Sequence, residues 1–188
     1  MLFNSYIFIF LFLPACVAGY YLLGRFATNN VANVFLLAMS MWFYGYYNPK
    51  YLILITASVC FNYFVYRMMH SCSDVKKIFL LLGICFNVGL LIYFKYMDFF
   101  IETINTIFSI NMPLLHIALP LGISFFTFQQ ISFVVDCYKD NAINYDFIDY
   151  ACYITFFPQL IAGPIVTHDE LVPQFQDYHN KKINFENF

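Results

Sequence analysis

Gln129, Ser132 and Asp136 stand three and four residues apart in a greasy stretch, LPLGISFFTFQQISFVVDCY, that runs from Leu119 to Tyr138. A helix sets all three on one face. An amide, a hydroxyl and a carboxylate in line could hold a polar ligand or relay a proton. An ionisable group within a membrane span, or at its edge, is costly and usually faces a protein interior or a watery cavity. The stripe is therefore a candidate lining for a substrate pathway. Asp136 taken alone has a simpler reading, because Lys139 follows about one turn later. For that residue an edge-anchored carboxylate comes first, and a proton or substrate contact second. Among the four histidines, His168 is the general-base candidate, since it adjoins the broken segment FFPQLIAGPIV. The same segment adds Gln159, Gly163 and Pro164 to the candidate pathway.

Two kinds of element must position these residues. Leu119 to Tyr138 is long and apolar enough to cross a bilayer. Tyr145 to Phe157 offers about a dozen helical residues, about 18 Å of rise, against ~30 Å of hydrocarbon. Pro158 is expected to end that helix, and Gly163-Pro164 to break the apolar run behind it. Irregular backbone survives at membrane depth only when buried in protein or lining a cavity. The stretch thus reads as a re-entrant or interfacial helix and a broken segment, leading into the acidic turn His168-Asp169-Glu170. A helix–loop–helix on the membrane surface, with no chemistry, fits the pattern equally well.

The surroundings are those of a bilayer. Of 188 residues 62% are hydrophobic and 11% charged, and mean hydropathy is +0.68. A soluble domain is about 45–50% apolar and about 25% charged. The expectation is an all-α polytopic integral membrane protein with about five transmembrane helices, the short helix and the broken Gly-Pro segment. A net charge of −2 offers no basic footprint for nucleic acid. No Walker-type, GxGxxG or HExxH motif is present. Cys16, Cys60, Cys72, Cys85, Cys137 and Cys152 form no CxxC and read as small hydrophobes, so no metal site is expected.

Ahead of the key stretch, apolar runs at Tyr6–Leu23, Val31–Tyr46, Tyr51–Met68 and Ile78–Tyr93 read as four spans. Ile101–Ile110 is short and reads as an interfacial helix. The first basic residue, Arg25, follows the first run rather than preceding it, so that run is an uncleaved span. With the N-terminus outside, Arg25, Arg67, Lys76 and Lys77 fall inside, against Lys50 and Lys95 outside. Lys139 joins the inside group if Ile101–Ile110 does not cross. The positive-inside rule favours that orientation. Asn62 and Asn87 lie within spans and read as interhelical hydrogen-bonding groups. His70 reads as a surface residue, and His116 is open between surface and site.

LPLGISFFTFQQISFVVDCY, followed by FIDYACYITFFPQLIAGPIV and a later PQF, resembles the membrane-bound O-acyltransferase family. The likeness is to its bacterial alginate and peptidoglycan O-acetyltransferase-like branch. It is dense over 119–175 and mainly hydropathic over 1–110, with 176–188 left as a polar tail. One departure stands out: many relatives carry an arginine straight after GPIV, where this chain has Thr167 and His168.

The resemblance implies a multi-span enzyme that takes an acetyl group from a cytoplasmic donor such as acetyl-CoA. The group passes through or across the membrane to a polysaccharide hydroxyl, often with an extracytoplasmic partner protein completing the transfer. It also implies the bacterial inner membrane as the location. The family's catalytic histidine lies in an apolar context well downstream of GPIV. Nothing here corresponds to it, because His179 stands in the hydrophilic QDYHNKKINFENF. The chain is therefore expected to be an N-terminal portion, inactive alone unless a second chain supplies the rest. The alternative class is a non-catalytic membrane scaffold or a transporter-like protein, since a polar stripe beside a discontinuous segment also describes a transporter half.

Overall fold

The computed structural model describes residues 4–26, 29–139, 144–162 and 166–177. Among these it is helical throughout its regular structure. A π-helical turn over Phe8–Phe12 leads into α1 (Leu13–Phe26). Pro14 accounts for that turn: a ring in mid-helix removes one N–H and crowds the carbonyl four residues back. Widening the preceding turn, so that the Leu13 N–H bonds Phe8 O, relieves the clash. Next come α2 (Asn29–Tyr47) and α3 (Pro49–Ser71). Asn48 caps α3, its side chain accepting from the Lys50 N–H at 3.0 Å, with Pro49 at the first helical position.

The next run departs from expectation. α4 (Lys76–Leu91), a π-helical turn (Ile92–Tyr96) and α5 (Met97–Phe108) form one helical stretch of 33 residues. The expected separate fourth span and short interfacial helix are thus a single element, about 50 Å long. Ser109, at φ 52°, ends it. The chain then folds back on α5. The Asp98 carboxylate accepts the Leu115 and His116 N–H groups at 2.8 and 3.0 Å, and Asn105 trades two bonds of 2.9 Å with Met112.

Helix α6 (Ile123–Lys139) is also shorter than expected. Pro120 and Gly122, the latter at φ 67°, form a turn where a helix from Leu119 was anticipated. Its 17 residues give about 26 Å. α7 (Phe147–Thr155) is the short helix, about 14 Å long. It ends at Phe156, ψ 104°. Pro158 does not terminate it, but occupies the first turn of α8 (Phe157–Ala162), where a missing N–H has no consequence. α9 (His168–Gln176) follows.

Among the described residues three helices, Phe8–Phe26, Pro49–Ser71 and Lys76–Phe108, are by length and composition long and apolar enough to cross a membrane. The remaining two expected crossings, α2 and α6, carry buried polar side chains: Asn33 and Ser40, and Thr127, Gln129 and Gln130. Polarity is inverted relative to a soluble fold, with Phe10, Trp42, Ile53 and Phe64 exposed. The chain is an all-α polytopic membrane protein.

α6 packs on α3 and α4, and α7 lies along α2. Near the start of α2, the Asn33 amide donates to Asp149 Oδ1 at the start of α7 (3.2 Å). Near the end of α2, Phe43 meets Phe157 just past the end of α7 (centroids 5.4 Å). The short helix therefore runs up the inside of the bundle beside α2. Phe157 also closes on Phe8 and Phe12, with centroids 6.1 and 5.3 Å away.

Candidate functional site

Two polar groups face α6 from opposite sides. The first is an amide network among α3, α4 and α6. Ser58 Oγ and Asn62 Nδ2 donate to Gln130 Oε1 at 2.8 and 2.7 Å, and Asn87 Nδ2 donates to Asn62 Oδ1 at 2.7 Å. Asn87 also donates to the Gly83 carbonyl at 2.8 Å. All four side chains are buried. Gly83 lets the helices close up: a Cβ there would meet Val134 Cγ1 at 3.1 Å and Val65 Cγ1 at 3.3 Å. Gln130 Nε2 is left buried without a hydrogen-bond partner.

The second group is centred on His168, the first residue of α9 and 1% exposed. Its ring lies edge-on to Phe133, Tyr145 and Tyr153, with centroids 5.4, 5.7 and 6.3 Å away. Nδ1 is 2.9 Å from Asp169 Oδ1 and 3.2 Å from Tyr145 Oη. Nε2 is buried, makes no hydrogen bond and faces Asp136 Oδ2 at 3.5 Å. Ser132 Oγ donates to the same carboxylate oxygen at 3.3 Å. Burial pushes the Tyr145 phenol up to about 12, with the nearby Asp169 charge adding to the effect. The fold thus favours the neutral phenol, a preference felt only as pH rises from about 10 toward 12. At neutral pH Tyr145 is a hydroxyl. Each imidazole nitrogen faces a carboxylate, Nε2 the half-exposed Asp136 and Nδ1 the exposed Asp169.

The structure treats the expected site residues unevenly. Ser132 and Asp136 meet each other one turn apart, and Asp136 meets His168 across 32 residues of chain. Among the described residues Asp136 faces His168 Nε2 at 3.5 Å and forms no ion pair with Lys139. Gln129 is buried on α6 at 2% exposure. Gln159 donates to the Val166 carbonyl at 3.3 Å, a carbonyl that Tyr153 Oη also reaches at 3.3 Å. Gly163, Pro164 and His179 lie outside the described residues. His116 is held at the Asp98 end of α5, apart from this group. Tyr145 and Gln130 are the residues sequence spacing missed. Gln130 sits next to the stripe but turned to another face, and Tyr145 falls in a loop where no periodicity operates. Among the described residues no cluster of three or more His, Cys, Asp or Glu could hold a metal ion.

Long apolar helices around a buried polar interior, with a short helix packed among them, define an all-α polytopic membrane protein. No protein-family model and no solved structure matches the chain. Curated sequences do. The chain is 41% identical, over its whole length, to a peptidoglycan O-acetyltransferase of Helicobacter pylori, of which it covers 41%. It is 37% identical, over 93% of its length, to a probable alginate O-acetylase of Pseudomonas aeruginosa, covering 34% of that protein. Against the Azotobacter vinelandii counterpart the identity is 34%, again over 93% of the chain. The chain thus corresponds to a portion of the membrane-bound O-acyltransferase family, in its alginate and peptidoglycan O-acetyltransferase branch. It spans about two fifths or less of the length of these relatives.

Proposed function

We propose that these 188 residues form part of a membrane O-acetyltransferase that moves an acetyl group from a cytoplasmic donor to a hydroxyl of a cell-envelope polysaccharide. The observation that carries this reading is the 41% identity, along the entire chain, to a peptidoglycan O-acetyltransferase. With a thioester donor such as acetyl-CoA, the carbon–sulfur bond breaks and a carbon–oxygen bond forms. A base takes the hydroxyl proton and returns it to the departing sulfur, so the donor leaves as the free thiol. Gln129, Ser132 and Asp136 line the approach, and His168 exchanges a proton with Asp136. Because the relatives are more than twice as long, completion of the transfer is assigned to sequence outside these residues, in the same protein or a second chain. An extracytoplasmic acetyltransferase is the partner that fits such a division of labour. The bacterial inner membrane, with the N-terminus outside, fits a donor drawn from the cytoplasm.

The test is the ester-linked acetate released by mild base from the envelope polysaccharide of the producing cell. Deleting the coding region is expected to remove most of it, and the complete protein to restore it. Expression of residues 1–188 alone is expected to restore none. Unchanged acetate after deletion would sink the acetyl-transfer reading and leave a scaffold or transporter.

A further inference from the structure

Beside the His168 group, at the same end of the bundle, lies a recess of about 410 Å3 lined by Arg67, His70, Ser71 and Asn144. Every one of these side chains can donate a hydrogen bond, and none is a carboxylate. Arg67 and His70 stand one turn apart in α3, both exposed. Among the described residues neither forms an ion pair. A helix C-terminus favours cations, which accounts for their sign but not for a shaped recess around them.

The wall is fixed from within. The buried Tyr66 ring meets the His70 ring edge-on at 5.0 Å. Its hydroxyl accepts the Tyr145 N–H at 3.0 Å, which holds the neighbouring Asn144 against α3. Lys76 and Lys77 open α4, and Lys139 closes α6, at this same end. The Lys76 ammonium lies over the Tyr138 ring at 5.5 Å.

We infer that this recess binds a phosphate group. A guanidinium fork takes two phosphate oxygens at once, and imidazole, hydroxyl and amide donors surround the remainder. The surplus of lysines raises the local anion concentration. Tyr145 joins the recess to the reaction site: its backbone is held by Tyr66, while its hydroxyl reaches His168 Nδ1. A ligand anchored at Arg67 therefore extends toward Asp136 and His168. On the function proposed above, it is a phosphate-bearing acetyl donor. An anionic lipid headgroup presents the same chemistry from the bilayer.

The chain, purified in phosphatidylcholine nanodiscs, is titrated with inorganic pyrophosphate by calorimetry. Nanodiscs doped with phosphatidylglycerol are examined in parallel by native mass spectrometry for retained lipid. Pyrophosphate binding that Arg67→Gln weakens about tenfold or more, with the melting temperature unchanged, assigns the recess to a soluble phosphate. Phosphatidylglycerol retention that Arg67→Gln abolishes, without pyrophosphate binding, assigns it to a headgroup and equally upholds a phosphate site. If neither probe binds, or if both Arg67→Gln and the Arg67→Gln/His70→Gln pair bind undiminished, the inference is overturned. Binding is read without acetyl transfer, so its failure leaves the acetyl-transfer reading standing, and the loss of that reading leaves the phosphate site standing.

Discussion

A carboxylate that accepts from a serine on its own helix and faces a buried imidazole on another differs physically from one that reaches into solvent for a lysine. Asp136 is the first kind: Ser132 is 3.3 Å away and His168 3.5 Å. Asp136→Asn preserves the shape of the contact and removes its charge and its ability to take a proton. In the complete protein, acetyl transfer is expected to fall about 100-fold, the low end of what a positioned acid–base group contributes. Membrane insertion and helix content should not change. Gln129→Ala is expected to lower transfer less, because it alters the lining without touching the proton route. Transfer at the parental rate in both variants would reduce the stripe to packing. The contact of Ser132 with Asp136 was legible from spacing, since the two follow the helical period. Tyr145 was not legible: it meets His168 across 23 residues of chain, through a loop whose path no local pattern encodes.

At the scale of elements, α3, α4 and α6 are joined by amides rather than by an apolar seam. In a bilayer the hydrophobic effect gives helices little reason to associate, so packing and interhelical hydrogen bonds decide. Asn62 is the hub, bonded to Gln130 at 2.7 Å, to Asn87 at 2.7 Å and to the Ser58 carbonyl at 3.0 Å. A double-mutant cycle over Asn62→Ala and Asn87→Ala, read by unfolding in detergent, is expected to give a coupling of about 0.6–1.7 kcal/mol. A coupling indistinguishable from zero would mean that each amide is satisfied locally by its own helix. The start of α8, just past the short helix, is held differently, by rings. Phe157 is 4% exposed among Phe8, Phe12 and Phe43. Phe157→Ala should cost about 3 kcal/mol or more and loosen the contact of α8 with α2 and with the π-turn ahead of α1. Limited proteolysis near 156–162 would report that loosening. An interhelical hydrogen-bonding role for Asn62 and for Asn87 followed from two amides lying in apolar runs; that they bond each other did not. The fusion of α4 with α5 did not follow, because Lys95 and Asp98 look like a span end. A π-turn carries the helix past them instead, with Lys95 donating to Ser124 Oγ at 3.3 Å.

For the molecule as a whole, side-chain contacts sort the helix termini into two ends. One end gathers Asn33 with Asp149, Tyr66 with Tyr145, and His168 with Asp136. The other gathers Tyr44 with the Leu121 carbonyl, Tyr51 with the Ala118 carbonyl, and Lys95 with Ser124. From sequence alone, the side of Lys139 depended on whether Ile101–Ile110 crosses, and this sorting removes that dependence. Lys76 lies over the Tyr138 ring, so the start of α4 and the end of α6 share one end. Arg67, Lys76, Lys77 and Lys139 therefore fall together, and Arg25, at the end of α1, faces them beside the start of α2. Lys50 and Lys95 lie opposite. Among the described residues, five basic side chains against two favour, by the positive-inside rule, the proposed orientation with the first end toward the cytoplasm; the His168 group and the Arg67 recess share that end. Cys72, half-buried in the turn between α3 and α4, is a native reporter of that end, and Lys50→Cys reports the other. In intact cells an impermeant maleimide is expected to modify Lys50→Cys and to spare Cys72, with Cys72 reacting only after lysis, as read by peptide mass mapping. The reverse pattern would invert the molecule. The acetyl donor would then have to reach His168 from outside, and the acceptor side would lie at the Asp98 end.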